Sequence, residues 1–185
     1  MNAVLNAVKQ LKDGKTIAYP TEAVWGLGCD PYNENAFQEI LKLKQRPIEK
    51  GVILLAGSIE QVAHLIAPLQ ENIRLQILDS WNTSSERATT WLLPATSDIP
   101  TWIKGNHPSV AVRVTQHPLC KILCEHFGGF IVSTSANPAG LTPATTLNEA
   151  QTYFKDQTYY LDGSLGSCHQ PSKIVDALTG QVIRG

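Results

Sequence analysis

Excess positive charge is missing from this 185-residue chain: 15 Lys and Arg stand against 16 Asp and Glu, a formal net charge of −1. A protein that grips nucleic acid over much of its surface is usually basic, so any positive field here has to be local. Long apolar runs are missing too; none approaches the roughly 20 residues of a membrane-spanning helix. The first residues form an amphipathic stretch interrupted by Asn6, Lys9 and Gln10, so no export signal is expected there. Metal-ligand spacing is absent. Cys29, Cys120, Cys124 and Cys168 include no C-x-x-C pair, and the five histidines form no close pair. The four thiols are therefore expected to serve as small buried hydrophobes. There is no G-x-x-x-x-G-K-[ST] loop, no G-x-G-x-x-G, no H-E-x-x-H and no G-x-S-x-G, which excludes the commonest nucleotide, zinc-protease and serine-hydrolase signatures.

What is present is core-forming material. The chain is 43% hydrophobic and 17% charged, a globular balance, and its length suits one domain over residues 1–185. Apolar residues at helical spacing predict helices over 3–12, 34–45, 58–66, 70–79 and 117–127. Thr146 and Glu149 have capping-box spacing, so another helix starts there and runs to about 155. Strands are expected at 16–19, 52–56, 89–94, 109–115, 130–135, 158–162 and 173–177. A turn through Leu178-Thr179-Gly180-Gln181 leads into Val182-Ile183-Arg184 as a hairpin. The segment from Pro20 to Gly28 reads as a glycine-punctuated loop. Helices and strands are intermixed, so the class is α/β (α+β) with one mixed sheet.

Chemistry concentrates in a few places. On the helix carrying Phe37, Ile40 and Leu41, Lys44 returns to within about 20° of Phe37 and so faces the protein body. Lys42, three residues after Glu39, is instead a solvated pairing. Arg46 and Lys50 follow Lys44 around Pro47. Such a cluster is either an anion site or a basic helix end that complements the helix dipole. In Ser133-Thr134-Ser135-Ala136-Asn137-Pro138, an extended backbone would project Ser133, Ser135 and Asn137 to one side. They would hold phosphate or ribose oxygens, or else mark an ordinary strand-to-loop transition. In SVAVRVT, Val110, Val112 and Val114 share one face while Ser109, Ala111, Arg113 and Thr115 share the other. Arg113 is either a carboxylate clamp in a pocket or an arginine on a half-exposed sheet. Thr21 sits at a strand end, where ligands collect in such sheets. Trp25 could stack on a base, though packing is the commoner fate.

The ordered set YPTEAVWGLG (19–28), KQRPIEKG (44–51), SVAVRVT-x-HPL (109–119), STSANPAG (133–140) and PSKIVDALTGQVIRG (171–185) resembles the YrdC/TsaC family of threonylcarbamoyl-adenylate synthases, in its short bacterial form. The likeness covers essentially the whole chain. It includes a K-x-R element at Lys44 and Arg46 and an S-x-N element at Ser135 and Asn137. The resemblance implies a twisted mixed sheet flanked by helices, with a concave ligand-binding surface. It implies a cytoplasmic enzyme that joins L-threonine, bicarbonate and ATP into threonylcarbamoyl-adenylate and pyrophosphate, for tRNA threonylcarbamoyladenosine synthesis. Lys44, Arg46, Ser135 and Asn137 would be catalytic. With Lys50, Ser109 and Arg184 they would hold ATP, and Mg2+ would bridge the phosphates rather than bind protein ligands. Thr21, Arg113, Ser133 and Ser172 would line the threonine and bicarbonate side. The product would pass to a tRNA threonylcarbamoyl transferase. RNA binding is the alternative the same fold offers; with a net charge of −1 it would be weak and salt-dependent.

Overall fold

The computed structural model describes residues 2–45, 52–83 and 85–185. Among these, nine strands form one sheet. In chain order the elements begin with α1 (Asn2–Lys12), β1 (Ile17–Pro20), β2 (Trp25–Gly28), α2 (Glu34–Lys44) and β3 (Ile53–Ala56). A 3-10 turn (Glu60–Val62), α3 (Ala63–Ile66), α4 (Glu71–Asn82), β4 (Thr89–Pro94), α5 (Thr101–Lys104) and β5 (Ser109–Val114) follow. The chain closes with α6 (Pro118–Phe127), β6 (Ile131–Ser135), α7 (Leu147–Phe154), β7 (Tyr159–Tyr160), β8 (Lys173–Asp176) and β9 (Val182–Arg184). The sheet order is β7-β1-β2-β6-β3-β5-β4-β8-β9. The β1/β7, β3/β5 and β4/β8 pairs are parallel and the rest antiparallel, so the sheet is mixed as expected.

Side chains alternate across a strand, and here that sorts the core into two clusters. Leu54, Val112 and Val132 point to one face and join the larger cluster, with Phe37 and Ile40 of α2, Ile77 and Trp81 of α4, and Phe154 of α7. Leu55, Ile131, Ile17 and Tyr19 point to the opposite face and join Val4 and Leu11 of α1 and Leu123 and Cys124 of α6. Helix α1 packs on α6, and α6 packs on β1 and β3. These two helices cover only one end of their face.

Several sequence expectations hold. Thr146 and Glu149 form the capping box. Lys42 pairs with Glu39 at 3.3 Å. The β8–β9 turn is held by Asp176, whose carboxylate accepts from the backbone N–H groups of Leu178 and Thr179, both at 2.9 Å. All four cysteines are free thiols; Cys29, Cys120 and Cys124 are buried, whereas Cys168 is only half-buried.

Other expectations need correction. The loop read over 20–28 contains β2, paired between β1 and β6. Its glycines are there for space rather than flexibility: a Cβ on Gly28 would lie 2.3 Å from the Val132 carbonyl and 3.0 Å from the Tyr19 ring. The helix expected over 58–66 is a 3-10 turn followed by one turn of α-helix. There the Gln61 side chain is committed elsewhere, accepting from the Gly57 N–H at 2.7 Å and donating to the Cys124 carbonyl at 3.0 Å. The strand expected at 158–162 pairs only over Tyr159–Tyr160. Helix α5 was not expected at all; at four residues it is too short to show a period.

Candidate active site

The sheet face left open beside α1 and α6 forms the floor of a cavity of about 450 Å3. Register explains who lines it. Arg113 pairs with Leu55, Ala111 and Ser133 pair with Ile53, and Ser135 pairs with Gly26, so these side chains share the face that carries Leu55. Of the residues singled out in the sequence, Thr21, Ser109, Arg113, Ser133, Ser135, Ser172 and Arg184 all line this cavity. Seven positions from distant parts of the chain thus meet in one place.

At one end, Arg184 is anchored by Ser172. The guanidinium donates to the Ser172 carbonyl from Nε at 3.0 Å and Nη2 at 2.7 Å, and Nη2 also donates to Ser172 Oγ at 3.1 Å. Ser172 Oγ in turn shares a hydrogen bond with Thr90 Oγ1 at 2.8 Å. Burial, followed by the charges of Arg87 and Arg113, lowers the pKa of Arg184 from its ordinary value. Repulsion among these guanidiniums makes this end of the cavity receptive to anions.

At the other end, Arg113 is 7% exposed, which decides between the two readings of it: it belongs to the pocket wall and not to a solvated sheet face. Its counter-charge is Glu22, 6% exposed and 3.4 Å away. Glu22 Oε1 accepts from Thr115 Oγ1 at 2.6 Å and from the Gln116 N–H at 3.2 Å. Burial alone would raise the Glu22 pKa, but Arg113 and the Thr115 hydroxyl outweigh it and hold the carboxyl below its ordinary range. Thr21 closes the adjoining turn; its hydroxyl donates to the Val24 carbonyl at 2.7 Å.

Lys44 is buried as its place on the apolar stripe predicts, at 3% exposure. Its ammonium donates to the Ser135 carbonyl and, at 3.0 Å, to the Asn137 carbonyl. The Ala139 N–H returns a bond to the Lys44 carbonyl at 2.7 Å. Lys44 of the K-x-R element therefore meets the S-x-N element. In this arrangement Lys44 grips the backbone beneath the S-x-N turn, and neither it nor Asn137 is among the residues lining the cavity. Asn137 does not continue the line of Ser133 and Ser135. β6 ends at Ser135, and the Asn137 N–H turns back to the Ser135 carbonyl at 3.0 Å. The Asn137 amide donates within its own loop, to Leu141 O at 2.7 Å and Pro138 O at 3.0 Å. Arg46 and Lys50 lie outside the described residues. Trp25 is 1% exposed and packs in the larger core cluster, while also bordering the cavity.

Sequence reasoning missed Glu22, Lys104 and His107, all of which line the cavity. An acid two residues past a strand end, in a segment whose other members are apolar or small, was the available signal for Glu22. Lys104 and His107 sit in and after the unforeseen α5, where no pattern marks them. Among the described residues, no group of three or more His, Cys, Asp or Glu side chains is placed to hold a metal ion. No helix of the described residues is long and apolar enough to cross a membrane.

Comparison with known proteins agrees with this architecture. The profile of the family described as Sua5_yciO_yrdC, Telomere recombination, matches residues 9–185. The threonylcarbamoyl-AMP synthase of Acinetobacter baylyi is 63% identical over 185 residues, covering 98% of this chain and 96% of the relative. The crystal structure of P. abyssi Sua5 complexed with L-threonine superposes with a TM-score of 0.88 at 27% identity, covering 98% of this chain and 53% of that one. This chain thus spans about half the length of that protein. E. coli YciO shares the fold, with a TM-score of 0.82 at 23% identity over 99% of this chain and 88% of that one. With nearly its whole length matched by the profile, and with a close full-length relative, this chain belongs to the Sua5/YciO/YrdC family.

Proposed function

We infer that this chain is a threonylcarbamoyl-AMP synthase, an ATP-using enzyme that joins L-threonine, bicarbonate and ATP. The observation that carries this reading is the convergence on one cavity of an ion-paired arginine, an anion-receptive arginine and a set of hydroxyls. The name borne by a full-length relative of 63% identity supports it. Arg113 is suited to the threonine carboxylate by its planar fork of donors. Thr21, Ser133 and Ser172 would line the threonine and bicarbonate side. Ser109, Ser135 and Arg184, with Arg46 and Lys50, would receive the nucleotide. Lys44 and Asn137 would act there by shaping the turn that presents Ser135.

The threonine amine adds to the bicarbonate carbon and water leaves, giving a carbamate. A carbamate oxygen then attacks the α-phosphorus and pyrophosphate departs. Neither step needs a covalent protein nucleophile, so the protein's work is to bind, align and offset charge. Holding three reactants in line supplies roughly 7–11 kcal/mol of the barrier in favourable cases. Donors fixed before the reaction stabilise charge as it develops. Mg2+ would ride on the nucleotide phosphates, where it offsets their charge. Such an enzyme would work in the cytoplasm as a single domain and pass its product to a tRNA threonylcarbamoyl transferase.

The test is pyrophosphate release from ATP with threonine and bicarbonate each present or omitted. Release that requires both is the expected result. Release with neither would mean a nucleotide hydrolase. No release from folded protein that retains RNA on a filter would favour the RNA-binding alternative.

A further inference from the structure

We propose that Glu22 is a positioning residue for the amino-acid half of the site: it sets the orientation of Arg113, and through it the binding of the substrate carboxylate. The proposal rests on the reading of Arg113 as that carboxylate's clamp.

Glu22 is itself rigidly held. Its carbonyl accepts from the Cys168 N–H at 3.0 Å, and the Gly166 N–H bonds the Thr21 carbonyl beside it at 2.9 Å. The approach is so close that a Cβ on Gly166 would lie 2.9 Å from Glu22 Cα. The side chain is fixed in turn by Thr115 and Gln116 through Oε1, which leaves Oε2 to face Arg113 Nη1 at 3.4 Å. Arg113 Nε and Glu22 Oε2 are both buried without a hydrogen-bond partner among the described residues, so the two groups are coupled at Nη1 by charge and not by a closed two-pronged fork. A guanidinium held by Glu22 at one nitrogen while its residue lines the cavity keeps donors for a second carboxylate.

A purely structural role fits less well. Buried ion pairs seldom stabilise a fold more than apolar residues of the same size would, because both charges lose their water. Yet Arg113 stands on a strand whose opposite face is Val110, Val112 and Val114, Glu22 meets it from the turn after β1, and both line the cavity. Placement in the wall of the cavity, at the cost of desolvation, points to orientation of the arginine.

Two expectations of opposite sign separate positioning from charge alone. If only net charge mattered, Glu22→Gln would strengthen carboxylate binding by removing an anion beside Arg113. If Glu22 positions Arg113, the same change weakens binding. A carboxamide has a single acceptor, already claimed by Thr115 and Gln116, so its NH2 would face the guanidinium and push it out of line. The experiment is steady-state kinetics on the full chain, with KM measured separately for threonine and ATP. Glu22→Gln is expected to raise the threonine KM roughly tenfold or more while the ATP KM stays within about twofold. Glu22→Asp, which keeps the charge on a shorter arm, should restore part of the loss. Thr115→Val, which loosens Glu22 without changing charge and preserves shape, should raise the threonine KM by a smaller factor in the same direction; it serves also if Glu22→Gln fails to fold. Arg113→Lys is the reference. A raised threonine KM there, together with an unchanged or lowered one in the Glu22 and Thr115 variants, overturns the proposal. An unchanged threonine KM in Arg113→Lys overturns the clamp reading itself, and this proposal with it.

Discussion

β3 and β6 each run under two environments on a single sheet face. At one end Leu55 and Ile131 lie beneath α1 and α6, sealed with Leu11, Leu123 and Cys124. Further along, Ile53, Ala111, Ser133 and Ser135 floor the cavity, and Arg113 stands at the boundary opposite Leu55. The strands and the face are the same; only the cover differs. Where two helices supply apolar partners the face stabilises the fold, and where they stop it is free to carry hydroxyls and charge. Changes at the covered end should therefore alter stability and spare chemistry, with the reverse at the open end.

Lys44→Ala is the change most able to break that division, and it carries the largest expected effect. Lys44 lies beneath the open end but is buried like a core residue. Its loss removes the donor that the Ser135 and Asn137 carbonyls share, so the S-x-N turn relaxes. Turnover is expected to fall by about 10²-fold, the scale of loss when a remote change misplaces a reacting group by about an ångström. Stability should fall as well, by about 1–3 kcal/mol, because buried carbonyls are left without that partner. Single-turnover kinetics and urea unfolding on the same preparation would show both. A variant of normal turnover would detach the K-x-R element from the site.

Leu123→Ala sharpens the comparison from the covered end. Leu123 is fully buried between α6 and the sheet, and the cavity it leaves should cost about 2–5 kcal/mol. Activity per folded molecule should stay within about twofold, since no cavity-lining residue changes. A stability loss accompanied by a raised threonine KM would mean that α6 also sets the shape of the site. A smaller loss, about 1 kcal/mol and without effect on KM, is expected for Thr146→Ala, which deletes the capping hydroxyl of α7 and does not touch the cavity lining.

The two ends are unequally legible in the sequence. The covered end follows from periodicity: the stripes of α1 and α6 and the alternation of 109–115 can be read residue by residue. The same alternation puts Ser109, Ala111 and Arg113 on one face. What it cannot supply is the counter-charge. Glu22 reaches Arg113 from a distant part of the chain, through a turn closed by Thr21 and Val24, and no local pattern encodes such a meeting. β2 is hidden for a different reason. Its glycines read as breakers, but they are required where β2 passes under Tyr19 and against Val132. Asn137 departs from its expected place because the extended bias of a residue before proline loses to a turn held by Lys44 and by its own amide.

The smallest expected effect lies at the boundary and depends on pH. Arg113 and the Thr115 hydroxyl overcome burial and hold the Glu22 carboxyl below its ordinary value. A carboxyl with a depressed folded-state pKa adds stability above its unfolded value of about 4.3, and that contribution is lost as pH falls through the folded value. Glu22→Gln never has the contribution. The stability difference between wild type and Glu22→Gln should thus be constant above about pH 5 and close steadily below about pH 4, because acid does to the wild type what the substitution has already done. Urea unfolding of both proteins across this range measures it. A difference that persists unchanged to the lowest pH at which both fold would show that the charge on Glu22 contributes nothing, and would leave its hydrogen bonds with Thr115 and Gln116 as all that holds the boundary.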